Sequence, residues 1–283
     1  MAIERVFIIG AGTMGHGIAQ VCAAKGLTAY LNDVNRSLID KGLAMVAKGL
    51  TKLVEKGKMA AAEKDALLAH VVPAEGTDRV ADVDLVVEAA TETLEIKKKI
   101  FARMDEIARP GVILATNTSS QSVTAIAAAT KRPDKVIGMH FFNPVPVMKL
   151  IEIVRGIATS DETFRTIYDL SKDLGKEPVE VKDYPGFISN RVLMIMINEA
   201  IFSLYEGIAT AQDIDTVMRL GMNHPMGPLA LADLIGLDTC LFILERLYTG
   251  FNDPKFRPCP LLKNMVAAGR LGRKTGQGFY PYA

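Results

Sequence analysis

The chain carries, from residue 6 to residue 15, the stretch Val6-Phe7-Ile8-Ile9-Gly10-Ala11-Gly12-Thr13-Met14-Gly15. Its apolar half predicts a β-strand, and the G-x-G-x-x-G pattern that follows predicts a tight turn into a helix. A second apolar run, residues 27–31, leads to Asp33, which follows Gly15 by 18 residues. A glycine-rich strand–turn–helix with an acidic residue after the next strand is typical of dinucleotide-binding domains. The stretch therefore predicts a Rossmann-type domain at the start of the chain.

The three glycines of this pattern have separate structural tasks. Gly10 permits the tight turn, Gly12 lets a pyrophosphate approach the backbone, and Gly15 lets the helix pack closely on the strand. The pyrophosphate is expected at the start of the helix, where free N–H groups and the helix dipole attract an anion. The predicted cofactor-binding loop comprises Gly10, Ala11, Gly12, Thr13, Met14 and Gly15. An ordinary strand–turn–helix that binds no ligand is the alternative interpretation.

The acidic residue after the second strand bears on which dinucleotide binds. A carboxylate at Asp33 accepts hydrogen bonds from the adenosine ribose and repels a 2′-phosphate, which favours NAD. Arg36 follows three residues later and has the charge to weaken that repulsion. The sequence therefore predicts NAD as the cofactor and leaves the strictness of the choice against NADP open.

The order of elements predicts the fold class. Apolar runs at residues 85–87, 112–116 and 136–139 continue the strands, and helical patterns at 18–25, 37–56, 60–69 and 95–108 separate them. Strands that alternate with helices are typical of a parallel sheet covered on both faces. We expect an α/β chain with a Rossmann-type, mostly parallel sheet domain over residues 1–184.

The pattern changes after residue 184. Pro185-Gly186 interrupts the chain, β-rich runs disappear, and residues 188–205 form a long helical pattern dense in Met, Leu and Ile. A helix that is apolar on most faces needs burial beyond a single domain surface. We therefore expect an all-α C-terminal domain over residues 185–283 that contributes to substrate binding and to dimerisation.

Composition excludes several classes of function. The 33 Lys and Arg side chains nearly balance the 32 Asp and Glu side chains, and Trp is absent, so nothing indicates nucleic-acid binding. No apolar run reaches the ~18 residues of a membrane span. Cys22, Cys240 and Cys259 are scattered, which indicates neither a disulfide framework nor a zinc site. The strand pattern starts almost at the first residue and leaves no room for a targeting segment, so we expect a cytoplasmic protein.

His140 is the histidine best placed for catalysis. It ends the strand pattern 136–139, and open α/β sheets bind ligands outside the carboxyl ends of their strands. Glu152 is a lone carboxylate in the apolar run 150–154, beyond a Pro-rich segment. If that segment reverses the chain, the two side chains face each other, and the carboxylate orients an imidazole that acts as a general base. A structural role for a strand-end histidine is the alternative.

Several motifs along the chain stand in a recognisable order. Together they resemble the short-chain L-3-hydroxyacyl-CoA dehydrogenases over nearly the whole length. The motifs are Gly10–Gly15, Asn117-Thr118-Ser119-Ser120, His140-Phe141-Phe142-Asn143-Pro144, Pro185-Gly186-Phe187-Ile188-Ser189-Asn190-Arg191 and Gly272-Arg273-Lys274-Thr275-Gly276-Gln277-Gly278-Phe279-Tyr280.

The resemblance implies roles for individual residues. It implies that His140 is the catalytic base, that Glu152 orients it, and that Ser119 and Asn190 surround the reacting carbonyl. Without it, the Ser119 hydroxyl is explained by a backbone hydrogen bond and Asn190 by an N-cap. The positions that match NAD contacts of the family are Glu92, Lys97, Asn117, Ser119, Asn143 and Lys274. Read alone, the run of lysines at 97–99 predicts a solvated helix face.

A coenzyme A substrate requires a site for its phosphates. Lys48, Lys52 and Lys56 recur every four residues and form one stripe on a helix. The resemblance implies CoA contacts on this helix and matches Lys56 best. A family position that carries a hydroxyl falls near Gly49 here, and glycine has no side chain to make that contact. A plain solvated face is the alternative for Lys52.

The resemblance implies an activity and an assembly. The expected reaction is NAD-dependent, reversible oxidation of a short-chain (S)-3-hydroxyacyl-CoA, such as (S)-3-hydroxybutyryl-CoA, to the 3-ketoacyl-CoA, in fatty-acid and butanoate metabolism. The alternatives are a dehydrogenase of a non-CoA hydroxy acid on the same scaffold and a non-catalytic NAD-binding protein. A homodimer is expected, with no nucleic acid, membrane or metal partner.

Overall fold

A computed structural model describes residues 3–282 of the chain, which divide into a unit that ends at Tyr184 and one that begins at Pro185. The first unit is built on a single sheet. Within the described residues its strands are β1 (Arg5–Ile9), β2 (Thr28–Asn32), β3 (Val71–Pro73), β4 (Leu85–Glu88), β5 (Ile113–Thr116), β6 (Val136–Phe141), β7 (Leu150–Arg155) and β8 (Glu177–Lys182).

The strand order of this sheet is β3-β2-β1-β4-β5-β6-β7-β8. Every neighbouring pair from β3 to β6 is parallel. The chain then reverses, so that β7 runs antiparallel to β6, and β8 runs parallel to β7. The central strands are buried on both faces, which explains their continuous apolar runs. The predicted mostly parallel, Rossmann-type sheet is confirmed.

Helices cover this sheet. They are α1 (Thr13–Ala24), α2 (Arg36–Glu55), α3 (Ala61–Ala69), α4 (Leu94–Ile107), α5 (Val123–Ala127) and α6 (Asp161–Asp173). The predicted start of the first helix at residue 18 was wrong, because the helix begins directly at the glycine turn. Its first turn contains few apolar residues and therefore lacks the periodicity that marks the rest.

Two strands were absent from the prediction. β3 has only three residues, and β8 has the sequence Glu-Pro-Val-Glu-Val-Lys with most of its side chains exposed. Both lie at the edges of the sheet, where one side of the strand faces no partner strand. Edge strands are short or charged because this discourages pairing with other chains, and the same property removes the apolar signal.

The second unit is helical. Its helices are α7 (Ser189–Tyr205), α8 (Ala211–Gly221), α9 (Pro228–Ile235), α10 (Leu237–Phe251) and α11 (Pro260–Ala267). Their buried faces meet in one apolar core that includes Met194, Ile201 and Leu244. The predicted change to an all-α domain is confirmed. Among residues 3–282, no helix combines the length and the apolar character needed to cross a membrane.

Candidate active site

The glycine-rich turn between β1 and α1 leaves no room for side chains at two of its glycines. Gly10 has φ +99°, and a Cβ there would lie 2.6 Å from the carbonyl oxygen of Ala89. A Cβ on Gly15 would lie 1.7 Å from the carbonyl oxygen of Gly10. Gly12 differs, because nothing lies within 4 Å of its Cβ position. Gly10 and Gly15 are thus needed for packing, and Gly12 leaves its side of the backbone open for a ligand.

The start of α1 has the properties of a dinucleotide site. Gly12 is the N-cap, and no side chain of the described residues caps the helix, so the amides of the first turn point out of it without internal acceptors. At the end of β2, Asp33 accepts a hydrogen bond from the Ala11 amide at 2.7 Å, which ties the acidic residue to the turn. An open glycine, uncapped amides and a carboxylate beside them fit the pyrophosphate and ribose of NAD.

His140 and Glu152 form a buried pair in the first unit. They face each other across the antiparallel β6–β7 pair, and Nδ1 of His140 lies 2.8 Å from Oε2 of Glu152. His140 is 7% exposed and Glu152 is 2% exposed. A carboxylate accepts hydrogen bonds, so this contact favours the imidazole tautomer with the proton on Nδ1. In that tautomer Nε2 is the nitrogen that can accept a proton.

Asn117 connects the ends of three strands next to this pair. Its backbone N–H donates to the backbone carbonyl oxygen of Glu88, at the end of β4, at 2.7 Å. Its Oδ1 accepts from the amide of Phe141, the residue after His140, at 2.9 Å. Because Asn117 follows β5 directly, it holds the carboxyl ends of β4, β5 and β6 together. The position of His140 is thereby fixed from two neighbouring strands.

Glu92 holds the segment that contains Ser119. Oε1 of Glu92 accepts from the Ser119 amide at 2.9 Å and from its hydroxyl at 3.1 Å. Oε2 accepts from the Thr118 hydroxyl at 2.6 Å. Two residues assigned to the cofactor by resemblance, Glu92 and Ser119, are therefore direct partners in the structure.

Lys97 lies next to Glu92 and is almost fully buried. Nζ of Lys97 lies 2.7 Å from Oε2 of Glu88 and 3.7 Å from Oε2 of Glu92. Glu88 is inaccessible to solvent, and its two oxygens also accept from the Thr116 hydroxyl and the Ala90 amide, each at 2.8 Å. A buried carboxylate and a buried ammonium thus compensate each other at the carboxyl ends of β4 and β5.

The interpretation of residues 97–99 as a solvated helix face is therefore wrong for Lys97. Lys97 is 1% exposed, whereas its neighbour Lys99 is exposed. The reason is the helical period, which turns Lys97 towards the sheet, where Glu88 provides a counter-charge. Sequence reasoning also missed Glu88 itself. Its signal was present, because a carboxylate that ends the apolar strand Leu85–Glu88 needs a partner once it is buried.

The remaining assigned residues lie on loops or in the second unit. Asn143 is exposed in the segment between β6 and β7. Asn190 is the second residue of α7, whose N-cap is Ile188, so the N-cap explanation of Asn190 is wrong. Lys274 pairs with Asp238, with Nζ 2.6 Å from Oδ2. Partial burial acts to raise the pKa of Asp238, but hydrogen bonds from Lys274 and the backbone outweigh it and lower the pKa.

The lysine stripe lies on one side of α2 and at its C-cap. Lys48, Lys52 and Lys56 are all exposed, and none of them pairs with a carboxylate within the part of the chain that the structure describes. Lys56 is the C-cap residue of the helix. The stripe therefore presents uncompensated positive charge on the surface of the first unit.

Two family models together match almost the entire chain. Residues 5–184 match the NAD binding domain of 3-hydroxyacyl-CoA dehydrogenase, and residues 186–282 match the C-terminal domain of 3-hydroxyacyl-CoA dehydrogenase. The chain belongs to the 3-hydroxyacyl-CoA dehydrogenase family. This dehydrogenase is accordingly an NAD-dependent oxidoreductase, and the predictions of family, enzyme class and cofactor are confirmed.

Relatives resemble the dehydrogenase over its full length. A probable 3-hydroxybutyryl-CoA dehydrogenase of Bacillus subtilis is 51% identical over 282 residues, covering 100% of this chain and 98% of the relative. A 3-hydroxybutyryl-CoA dehydrogenase of Clostridioides difficile is 52% identical over 98% of this chain and 99% of the relative. The crystal structure of the (S)-3-hydroxybutyryl-CoA dehydrogenase of Ralstonia eutropha has a TM-score of 0.98 and 52% identity, with 100% of both chains covered.

Proposed function

We propose that this dehydrogenase interconverts (S)-3-hydroxybutyryl-CoA and acetoacetyl-CoA, with His140 as general base and acid and Glu152 as its partner. The observation that carries the proposal is the buried His140–Glu152 pair, 2.8 Å apart at the carboxyl end of β6. The substrate is supported by the full-length likeness to relatives that are named 3-hydroxybutyryl-CoA dehydrogenases. A protein that only binds NAD has no need of a buried base.

His140 moves the proton of the reaction. In the direction of oxidation, Nε2 takes the proton of the 3-hydroxyl group as the carbonyl forms. The imidazolium that results is stabilised by the Glu152 carboxylate, which remains hydrogen-bonded to Nδ1–H. In the direction of reduction, the same nitrogen returns the proton to the 3-oxygen. The pair is 7% and 2% exposed, and the low dielectric strengthens its interaction.

The first unit holds the cofactor in this proposal. When bound, NAD accepts the hydride from C3 of the substrate or returns it. The turn Gly10–Gly15 would hold the pyrophosphate, and the Asp33 carboxylate would accept hydrogen bonds from the ribose. Glu92, Lys97, Asn117, Ser119, Asn143 and Lys274 complete the predicted cofactor contacts. Lys97 would act on the cofactor indirectly in this proposal. Its Nζ is buried against Glu88 and lies 3.7 Å from the carboxylate of Glu92, which would make the direct contact.

Ser119 and Asn190 orient the 3-oxygen in this proposal. A hydroxyl and an amide both donate and accept, so they suit an oxygen that alternates between hydroxyl and carbonyl. The Ser119 segment is held by Glu92, which limits the motion of that hydroxyl before substrate binds. Orientation of this kind lowers the entropic part of the barrier.

Lys52 and Lys56 bind the phosphates of coenzyme A in this proposal. Both are exposed and unpaired with carboxylates in the described part of the chain, so an anionic ligand meets no competitor there. Phosphate contacts of this kind are screened by salt. The KM for an acyl-CoA should therefore rise with ionic strength.

A homodimer through the second unit is the predicted assembly. A groove of about 560 Å³ there is lined by apolar residues of α7 and α8, among them Val192, Ile195 and Val217. Val192 is 64% exposed and Val217 is 58% exposed, which is unusual for side chains of this size in a cluster. A second copy of the chain would cover them. The dimer and the cytoplasmic location remain predictions.

The proposed substrate is tested by following NADH absorbance with acetoacetyl-CoA and with free acetoacetate at the same concentration. We expect rapid, saturable loss of NADH with the thioester and a much slower loss with the free acid. Equal rates would favour a dehydrogenase of non-CoA hydroxy acids, and no loss with either substrate would favour a non-catalytic NAD-binding protein.

A further inference from the structure

Arg36 is the residue best placed to receive an NADP phosphate, and it is already engaged. It is the first residue of α2, three residues after Asp33. Its Nε donates to Oδ1 of Asp40 at 2.8 Å, and its Nη1 donates to Oε1 of Glu75 at 2.9 Å. An arginine near the end of the second strand is the group with which Rossmann domains accommodate a 2′-phosphate. Here two carboxylates hold that group.

Glu75 is held beside Arg36 by the end of β2. Asn32 is 7% exposed, and its Nδ2 donates to the carbonyl oxygens of Ala74 and Gly76 at 2.8 and 2.9 Å. These two carbonyls flank Glu75 on either side. The buried amide therefore fixes the short segment that follows β3 and keeps the Glu75 carboxylate within reach of the guanidinium.

The charges around the ribose position do not balance. Arg36 contributes one positive charge, and Asp33, Asp40 and Glu75 contribute three negative charges, which leaves a net charge of minus two in this cluster. A 2′-phosphate that approached the cluster would meet repulsion from three carboxylates. It would also have to compete with two of them for the guanidinium. NAD has a hydroxyl at that position, so it meets neither this repulsion nor this competition.

We propose that Asp40 and Glu75 are specificity residues for the cofactor, which act through Arg36 by withholding its guanidinium from a 2′-phosphate. The proposal deepens the choice of NAD within the proposed function but does not depend on the acyl-CoA substrate. It implies that Asp33 is not the only determinant of this choice. Replacement of Asp33 alone should therefore leave NADP strongly disfavoured.

The test is a fluorescence titration of NADH and NADPH without acyl-CoA, so a wrong substrate assignment does not affect its outcome. The variants are Asp33→Ser, the pair Asp40→Asn/Glu75→Gln, and the triple Asp33→Ser/Asp40→Asn/Glu75→Gln. Exposed ion pairs are each worth at most about fivefold in affinity, so we expect the triple variant to bind NADPH about tenfold more tightly than Asp33→Ser. The affinity for NADH should differ less than about twofold between these two variants, since NADH lacks the 2′-phosphate.

Two further variants separate a specific effect of Arg36 from a general effect of charge. Addition of Arg36→Ala to the triple variant should abolish the gain in NADPH affinity. The variant Asp33→Ser/Asp82→Asn/Glu106→Gln removes two exposed carboxylates that pair with other arginines, and it should bind NADPH no better than Asp33→Ser. The proposal is overturned if Asp33→Ser already binds NADPH as tightly as the triple variant. It is also overturned if the gain survives Arg36→Ala or appears in the control.

Discussion

The imidazole of His140 and the carboxylate of Glu152 lie 2.8 Å apart because the strands that carry them are paired in one register. Successive residues of a strand point to opposite faces, so a slip of one residue would replace Glu152 by Ile151 or Ile153. The slip would bury the Glu152 carboxylate, which is 2% exposed, away from His140, and this cost opposes it. The distance between the two side chains is thus set by the packing of the sheet. A pair carried by two mobile loops would be held less firmly.

Breaking the Glu88–Lys97 pair by removing one partner should strongly destabilise the first unit. Lys97→Met leaves the Glu88 carboxylate buried without a counter-charge, and such a loss costs about 3 kcal/mol or more in the free energy of unfolding. The measurement is urea denaturation followed by circular dichroism. Lys98→Met is the matched control, because Lys98 is the next residue of α4 and, within residues 3–282, forms its ion pair only with the exposed Glu95.

A second variant separates charge compensation from simple loss of packing. Glu88→Gln/Lys97→Met removes both buried charges and should be more stable than Lys97→Met alone. If Lys97→Met unfolds at the same urea concentration as Lys98→Met, the pair does not contribute as described. The same conclusion follows if the double variant is less stable than the single one.

Gly12 and Gly15 should fail in different ways when replaced by alanine. A Cβ on Gly15 would lie 1.7 Å from the Gly10 oxygen, so Gly15→Ala should lower the melting temperature strongly. Gly12→Ala meets no protein atom within 4 Å and should fold normally. It should still raise the Kd for NADH at least about tenfold, because the added Cβ would keep the pyrophosphate away from the backbone, and one lost charge-assisted hydrogen bond costs that much.

The control for these substitutions is Gly221→Ala, at the end of α8, where nothing lies within 4 Å of the added Cβ. It should not lower the melting temperature, and it should leave the Kd for NADH unchanged. Unchanged NADH affinity in folded Gly12→Ala would place the pyrophosphate elsewhere.

Lys56 should affect the substrate only when the substrate carries phosphates. Lys56→Ala should raise the KM for acetoacetyl-CoA about fivefold, the upper value for an exposed ion pair, and Lys52→Ala should add to it. The KM for acetoacetyl-pantetheine, which lacks the phosphates, should not change. Lys131→Ala, an exposed lysine at a distance along the chain, is the control. An equal rise with both thioesters would mean that the lysines do not contact the phosphates.

The three cysteines should be unreactive in the folded protein. Burial raises the pKa of the Cys22 thiol to about 12 and is the main cause that raises the pKa of Cys240 to about 12. Burial also raises the pKa of Cys259. Because the raised pKa favours the neutral thiol, the reactive thiolate is absent at neutral and mildly alkaline pH.

Titration with a thiol-specific disulfide reagent at pH 8 checks this expectation. The folded protein should release almost no chromophore, and the protein in urea should react at all three thiols, since unfolding returns their pKa to about 8.5. Rapid reaction of one thiol in the folded protein would contradict the burial of that cysteine.

The sequence allowed prediction of the elements that have strong local signals. The run from Val6 to Gly15 and the position of Asp33 predicted the dinucleotide fold, because glycine spacing and apolar strands are local properties. Burial of Lys97 was not predictable in this way. It depends on Glu88, nine residues earlier, which reaches the lysine only after β4 and α4 have packed together.

The candidate site shows the same division. His140 was predictable from its place at a strand end, but the contact with Glu152 required the chain to reverse between β6 and β7. Asn190 and Lys274 have no local signal, since they lie in a different unit from the glycine turn. Their assignment depends on the family resemblance, because a pattern within one segment does not say which other segment it will meet.

The central claim, that His140 transfers the proton with Glu152 as its partner, is tested most directly by two measurements on the same variants. These are kcat for acetoacetyl-CoA and the Kd for NADH in His140→Gln and Glu152→Gln, with His70→Gln as the control. We expect kcat to fall by about 10²-fold or more in both variants while NADH affinity stays near that of the wild type, since loss of general acid–base catalysis has this magnitude. Near-normal turnover by a folded His140→Gln protein would contradict the account.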